Sequence, residues 1–456
     1  MERVSTGNRQ LDEILGGGFL RGSINVIAGR PGAGKTMLAE QLAFAVVPGG
    51  RPVLYLTTLS EPLAKVLTYL QHLDFAEIDR VGRDLLFESL AEPLAEGPEA
   101  LIERVRALML KHRPQVMIID SFKAIADLMA DVRVWRRTVF DLAATFSAYD
   151  VTVFWIGEYL VRTAQGLIEL AVADGILELQ REDSGSRDDR FLQVAKLRGS
   201  GFADGRHAYR LGAAGLEVFP RLRTPSPPRP GELPTERLSP GVAGLDAMIE
   251  GGLLRGTSTL VAGPSGSGKT LIGLHFLREG ARCGEPGLLV GLQESPGQLS
   301  RMVESLGWSA GELLRPGRIE FLYNSPVELH IDAIAEQVLR RVEQQAVRRV
   351  LVDSLGDLEL AAGDWRRFAD YIYALTQHFM RHGVTAFLTL EGNLTRDQEV
   401  LTRRPISQTS DNTLLLAMEL ADEELVRTLR VIKARGSTHE GRRRPLRITA
   451  QGATVV

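Results

Sequence analysis

Two stretches of one chain fit the same pattern. Residues 29–36 read GRPGAGKT and residues 263–270 read GPSGSGKT, both instances of G-x-x-x-x-G-K-[ST]. Glycines in such a loop let successive backbone N–H groups turn inward on phosphate oxygens, and the helix that follows adds the positive end of its dipole. Each loop needs a strand to lead in and a helix to lead out. A chain that carries the loop twice must build that unit twice, which constrains the fold before any other residue is considered.

The flanks repeat as well. STGNRQLDEILGGGFLRGSINVIAG precedes the first loop and SPGVAGLDAMIEGGLLRGTSTLVAG the second. Pro62 and Pro296 each stand 27 residues beyond the loop lysine. Apolar runs ending in aspartate follow, VMIID at Asp120 and VLVD at Asp353, which lie 85 and 84 residues after the lysines. AKLRGS at 195–200 is matched by IKARGS at 432–437. Order and spacing are kept across both halves, so the chain is a tandem duplication. Between the copies lies RLRTPSPPRPGELPTE, with five prolines from Pro225 to Pro234. Proline fixes φ and lacks a donor, so this stretch reads as a semi-rigid linker. The expected organisation is a first domain at 1–220, a linker at 221–236 and a second domain at 237–456.

Within the first copy INVIAG, VLYLTT, VMIID and VTVFWIG read as buried strands, and helical spacing follows Lys35, Glu61, Pro98 and Arg133. Alternation of this kind predicts an α/β fold, a mostly parallel sheet flanked by helices. Further β-type segments close each copy: GILELQ and RFLQVAKLR, then NTLLLAME and VRTLRVIKAR.

The chemistry expected at the loops is nucleotide binding. Gly29, Arg30, Pro31, Gly32, Ala33 and Gly34 form the first cradle; Gly263, Pro264, Ser265, Gly266, Ser267 and Gly268 form the second. Lys35 and Lys269 would reach the β- and γ-phosphates of ATP, and Thr36 and Thr270 would place a hydroxyl on Mg²⁺. Asp120 and Asp353 would hold the metal through water. Hydrolysis also needs a base for the attacking water. Aligned on Pro62 and Pro296, TTLSEP faces GLQESP, so Glu294 stands opposite Ser60, Gln293 opposite Leu59, and Glu61 is out of step by one residue. Glu294 is the candidate base, against the plainer reading of a solvated residue at a strand end. Glu158 and Glu391 also end apolar runs and are held in reserve. Lys196 with Arg198, and Lys433 with Arg435, would project to one face of a strand and suit phosphate contact, in cis or from a neighbouring subunit. The plainer reading is a solvated basic edge strand.

Bulk properties exclude several classes. Net charge is −3, so nothing global favours nucleic acid or an anionic membrane. RRR at 442–444 with Arg447 is the best basic stripe, but it lacks interleaved aromatics, so nucleic acid is not an expected partner. MERVSTGNRQLDE has no apolar leader, and no run approaches the roughly 18 apolar residues of a membrane span. A single cysteine, Cys283, precludes an intrachain disulfide and fits a cytoplasmic protein.

The paired halves, the shared lead-in, GPSGSGKT, LVDSLGDL and KARGSTHE together resemble the KaiC family of circadian-clock ATPases and autokinases, over nearly the whole chain. The resemblance implies two RecA-like P-loop NTPase domains and a double-tiered homohexameric ring. ATP would lie between subunits, with Lys196, Arg198, Lys433 and Arg435 reaching across. It implies ATP hydrolysis in the first tier and serine/threonine autophosphorylation in the second. The departures are specific. Clock members carry two adjacent glutamates after the second strand, where this chain has Leu59-Ser60 and Gln293-Glu294. They carry adjacent Ser and Thr phosphosites, where RRPISQTSDNT offers Ser407 followed by Gln408. They extend into a partner-binding tail, where this chain stops at QGATVV. The expectation is a KaiC-like ATPase ring with autokinase activity at Ser407 and a signalling partner, rather than a clock oscillator. The alternatives are a nucleotide-gated scaffold with little hydrolysis and, third, a RecA-type DNA-dependent ATPase.

Overall fold

A computed structural model describes residues 2–47, 50–58, 63–129, 131–159, 161, 166–183, 188–229, 231, 233–392, 409–421 and 424–456. The chain divides into two compact units, Met1–Arg221 and Leu222–Val456.

In the first unit the strands of the large sheet are β1 (Ile24–Gly29), β2 (Val53–Thr57), β3 (Leu85–Ser89), β4 (Val116–Asp120), β5 (Thr152–Gly157), β6 (Gly175–Asp183), β7 (Asp188–Leu197), β8 (His207–Gly212) and β9 (Gly215–Phe219). In the second they are β10 (Ser258–Gly263), β11 (Gly287–Gly291), β12 (Ile319–Tyr323), β13 (Arg349–Asp353), β14 (Thr385–Glu391), β15 (Asn412–Ala421), β16 (Glu424–Ala434), β17 (Arg444–Thr449) and β18 (Gly452–Val455). Among the described residues each unit holds one nine-stranded sheet. The orders are β3-β2-β4-β5-β1-β6-β7-β8-β9 and β12-β11-β13-β14-β10-β15-β16-β17-β18, the same path taken twice. The pairings from β3 to β6 and from β12 to β15 are parallel, and the strands after them return antiparallel. The expected α/β class, with mostly parallel sheets flanked by helices, is what the chain forms.

Both faces of each parallel region are covered, which is why these strands are apolar at nearly every position. In β2, Leu54 and Leu56 pack on one face with Leu101, Val105 and Phe146, while Tyr55 faces the layer of Leu38 and Leu42 from the helix Lys35–Val46. In the second unit Phe276, from the helix Lys269–Arg282, stacks on Phe387 of β14 at 4.1 Å. The opposite face carries Phe368, Ile372 and Phe379 of the helix Trp365–Arg381. Asp364 caps that helix by accepting from the N–H groups of Arg366 and Arg367.

The described residues of the proline-rich segment form no helix or strand. Its first residues belong to the second unit: Leu222 packs on that core, His378 Nε2 donates to Arg223 O at 2.8 Å, and Arg381 donates to Ser226 O at 2.9 Å.

The second unit also contains a buried charge. Arg349, at the start of β13, is 2% exposed. It donates to Glu285 Oε2 at 2.7 Å and to the carbonyls of Ser239 and Phe276, both at 2.9 Å. Gly280 makes room for it, since a Cβ there would meet Arg349 Cδ at 2.4 Å. The register places Val116 at the equivalent point of the first unit. Burial raises the Glu285 carboxyl, but hydrogen bonds and charge from Arg349 and Arg255 outweigh it and hold the group below the usual range. A depressed carboxyl contributes stability at neutral pH that is lost as pH falls through its folded value. Removing one partner of such a pair typically costs about 3–5 kcal/mol. Arg349→Ala should therefore lower the stability of the second unit by that order while leaving the first unchanged, measured by hydrogen exchange of each unit. Equal protection in variant and wild type would contradict this.

Candidate functional site

Each cradle lies where the central strand of its sheet, β1 or β10, gives way to a helix. Gly34 and Gly268 make the turn with φ of +89° and +102°. A Cβ at Gly34 would meet Leu211 Cδ2 at 2.7 Å, and one at Gly268 would meet Ile448 Cδ1 at 2.9 Å. Only glycine suits both the dihedral and the space. The helices then begin at Lys35 and Lys269, leaving their first N–H groups aimed into the loop. Each loop is braced from behind: Tyr209 OH donates to Ala33 O at 2.6 Å, and Arg427 Nε donates to Gly266 O at 3.1 Å.

The lysines fold back over their loops. Lys35 Nζ donates to Arg30 O at 3.0 Å; Lys269 Nζ donates to Gly263 O at 3.0 Å and Pro264 O at 2.8 Å. Burial pulls both ammonium groups below the usual lysine range, opposed by Glu158 and Asp120 in the first unit and by Glu391 and Asp353 in the second. The reserve carboxylates thus stand nearer the charge of the loop lysine than sequence spacing suggested. Glu391 pairs in register with Gly263, so it ends the strand beside the cradle.

The strand-end aspartates take their expected places but with different supports. Thr36 Oγ1 and Tyr55 OH both donate to Asp120 Oδ2, at 2.8 and 3.0 Å. Asp353 instead accepts from Thr389 Oγ1, and among the described residues no hydrogen bond joins it to Thr270. Leu289 stands where the first unit has Tyr55, and Ile156 where the second has Thr389.

After β11, Leu292 N donates to Asp353 O at 3.1 Å, which draws the next residues across the strand end. Gln293 Nε2 donates to both oxygens of Asp357 at 3.1 Å, and Ser354 Oγ donates to the same carboxylate at 2.7 Å. Glu294 follows, half-buried; burial first, then the charges of Asp353 and Asp357, push its carboxyl above the ordinary range. A carboxylate raised toward neutrality is a stronger base than a free one. Leu59, Ser60, Glu61 and Ser407 lie outside the described residues.

The basic pairs occupy equivalent places. Lys196 Nζ donates to Leu170 O and Ala171 O, and Arg198 pairs with Asp174 at 3.4 Å; Lys433 Nζ donates to Ser410 O, and Arg435 pairs with Asp411 at 3.7 Å. Burial and the adjacent arginine lower both lysines. β8–β9 and β17–β18 extend both sheets, but they pair with these strands only at Phe191 and Leu192 and at Thr428 and Leu429, so among the described residues the basic pairs lie on a stretch of strand that those hairpins do not cover. Register also sets each pair back from its own cradle. Gly175, opposite Leu197, aligns with Asn25 while the cradle begins at Gly29, and Asn412, opposite Ala434, aligns with Thr259 while the second begins at Gly263. Four strand positions separate them, about 13 Å along the sheet. The supporting aspartates, Asp174 and Asp411, had no signal in the motif pattern.

The basic run near the C-terminus is partly neutralised, with Arg443 paired to Glu419 and Arg444 to Glu440.

A family model for the KaiC ATPase matches residues 4–223 and again 238–456. The chain belongs to the KaiC ATPase family. Across its whole length it is 28% identical over 471 aligned residues to the circadian clock oscillator protein KaiC of Picosynechococcus sp., covering 90% of that protein. It is 28% identical over 472 residues to the protein of the same description from Rippkaea orientalis, covering 89% of it, and 27% identical over 468 residues to that of Prochlorococcus marinus, covering 93%. It is a KaiC-family ATPase with tandem RecA-like domains, and ATP is the ligand this implies.

The residues present fit ATP with Mg²⁺. The loops offer inward N–H groups, and Ser267 Oγ is buried in the second cradle without a hydrogen-bond partner. Thr36 Oγ1 and Asp120 Oδ2 stand together at 2.8 Å, a hydroxyl and a carboxylate that suit a Mg²⁺ otherwise held by phosphates and water. Among the described residues no helix is long and apolar enough to cross a membrane. Hydrogen bonds to charged groups contribute about 1.5–3 kcal/mol. Lys35→Ala and Lys269→Ala should each weaken nucleotide binding at one cradle about 10- to 100-fold and leave the other intact, as seen by calorimetry. Loss of both sites from one substitution would contradict this.

Proposed function

We propose that the chain hydrolyses ATP unequally in two tiers of a cytoplasmic homohexameric ring, with most turnover in the second unit and a signalling partner reading the nucleotide state. The observation that carries this is Glu294, a half-buried carboxylate beside Asp353 whose aligned position in the first unit is Ser60. Water attacks the γ-phosphorus, the bond to the β–γ bridging oxygen breaks, and ADP and phosphate leave. Glu294 takes the proton of the attacking water. Lys269 meets the charge that develops on the phosphates, and Thr270 and Asp353 would hold Mg²⁺. That ion, when bound, neutralises phosphate charge. Serine at neutral pH is a far weaker base than carboxylate, so the first cradle binds more than it hydrolyses.

The ring reading is supported by the position of the basic pairs. Each lies too far from its own cradle to touch phosphate, yet recurs in both units. A neighbouring copy supplies the geometry that one copy lacks, and an arginine so placed raises phosphoryl-transfer rates by about 10³–10⁵. Ser407 is the candidate acceptor in an autokinase reaction, its hydroxyl replacing water.

Three outcomes follow. Glu294→Gln should lower turnover about 10²–10⁴-fold while nucleotide still binds, and Ser60→Ala should change little. A general base must be ionised, so the acid limb of the rate profile should lie above the ordinary glutamate range and vanish in Glu294→Gln. Near wild-type turnover in that variant, with loss in Glu158→Gln, would contradict the assignment. For the ring, mixing Arg435→Ala chains with Lys269→Ala chains should restore part of the second-unit activity, because some interfaces regain both partners. Mixed assemblies without recovery would contradict it.

A further inference from the structure

The duplication supplies an internal control for features outside the nucleotide sites. One difference is concentrated at the far end of the helix Lys269–Arg282. An open pocket of about 440 Å³ is lined there by Arg278, Arg282, Trp308, Glu312, Arg315 and Arg318. Arg278 lies over the ring of Trp308 at 4.5 Å, and Trp308 is nearly buried, its edge against His275. Arg282 is occupied by Glu279, with contacts of 2.6 and 3.0 Å. Among the described residues, neither Arg278 nor Arg315 has a carboxylate partner, and Arg318 makes one contact, to Ala281 O at 2.7 Å.

The equivalent place in the first unit carries no excess of positive charge. Counting from the loop lysines, Phe44 stands at the position of Arg278, and it packs against Phe75 at 6.0 Å as Arg278 packs against Trp308. Asp84 precedes β3 as Arg318 precedes β12, and each carbonyl accepts from the first residue of the neighbouring strand, Val53 or Gly287. Asp84 lies 3.9 Å from Arg80 and 3.2 Å from Arg83, which are further paired with Glu77 and Asp79. One copy thus neutralises its arginines and fills the space with phenylalanine. The other replaces Phe44 with Arg278 and Asp84 with Arg318, and leaves three guanidinium groups facing one carboxylate. The negative end of a helix dipole accounts for an arginine in the last turn, but not for Arg315 and Arg318, which come from a separate loop.

We propose that this pocket is an anion site for a polyphosphate group, separate from the nucleotide cradles. Planar guanidinium forks match phosphate oxygens in pairs, and three of them supply more charge than a single carboxylate ligand would balance. The volume is in the range of small-molecule sites. Arg278 and Arg282 are 9 and 13 residues beyond Lys269, so the pocket lies roughly 14–20 Å along the helix from the cradle. A triphosphate held at one cannot reach the other. Inorganic polyphosphate and nucleotide share the required chemistry.

The test uses the full chain carrying Lys35→Ala and Lys269→Ala, which weakens both loops, titrated at low salt with inorganic tripolyphosphate and separately with ADP, at concentrations below those the weakened loops need. Calorimetry counts sites, and the tryptophan fluorescence change that Trp308→Phe abolishes reports on Trp308 among the four tryptophans. The expected result is one saturable anion per chain, weakened about tenfold or more by Arg278→Ala with Arg315→Ala and little changed by Arg282→Ala. Tighter binding of ADP identifies nucleotide as the ligand, and equal or tighter binding of tripolyphosphate identifies the phosphate chain itself. Circular dichroism of each variant confirms folding, and Arg315→Ala alone, which removes no side-chain hydrogen bond or ion pair among the described residues, should still weaken binding. Absence of saturable binding in the loop-weakened chain, or binding indifferent to Arg278 and Arg315, would overturn the proposal.

Discussion

Everything at the two sites depends on one local constraint: a strand must turn into a helix within a few residues while keeping its N–H groups pointed inward. Gly34 and Gly268 meet it with left-handed dihedrals, at points where Leu211 and Ile448 leave no room for a Cβ. Those contacting residues come from β8 and β17, the added antiparallel strands. The final strands of each unit therefore act as a floor under the cradle. The rest of the site is arranged around it, with the loop lysine ahead, the aspartate of β4 or β13 two strands away, and the carboxylate ending β5 or β14 between them.

Duplication preserved that frame and let its supports drift. Asp120 is held from the β2 side by Tyr55, and Asp353 from the β14 side by Thr389. The first unit has Val116 where the second buries Arg349 with Glu285, and Phe44 where the second exposes Arg278. The glycines that make the turn, Gly34 and Gly268, cannot vary because neither dihedral nor space allows a substitute, whereas a hydrogen-bond donor to a carboxylate can arrive from any neighbouring strand. The divergence falls where physical tolerance is greatest.

This also explains what could be read in advance. The strands, cradles, strand-end aspartates and recurrence of the KLR and KAR pairs were legible, because each rests on local pattern: apolar runs, glycine spacing and order along the chain. Tyr55 and Thr389 were not, because their role depends on cross-strand register. The closing hairpins were hidden for the same reason; HAYRLGAAGLEVF and RPLRITAQGATVV each extend the sheet beyond β7 and β16, pairing short of the KLR and KAR segments. The distance of those pairs from their own cradles became visible only once parallel and antiparallel pairings were set in register. Arg278 and Arg318 carried no motif at all and stand out only against Phe44 and Asp84.

The central claim is that two cradles of equal geometry differ in what they do with ATP. The nucleotide retained after turnover tests it most directly. Protein incubated with ATP and Mg²⁺, freed of unbound nucleotide, quenched and chromatographed should release ATP and ADP in near-equal amounts, and Lys269→Ala protein should release almost entirely ATP. ADP alone from wild type, or ADP as the main product from Lys269→Ala, would contradict the account.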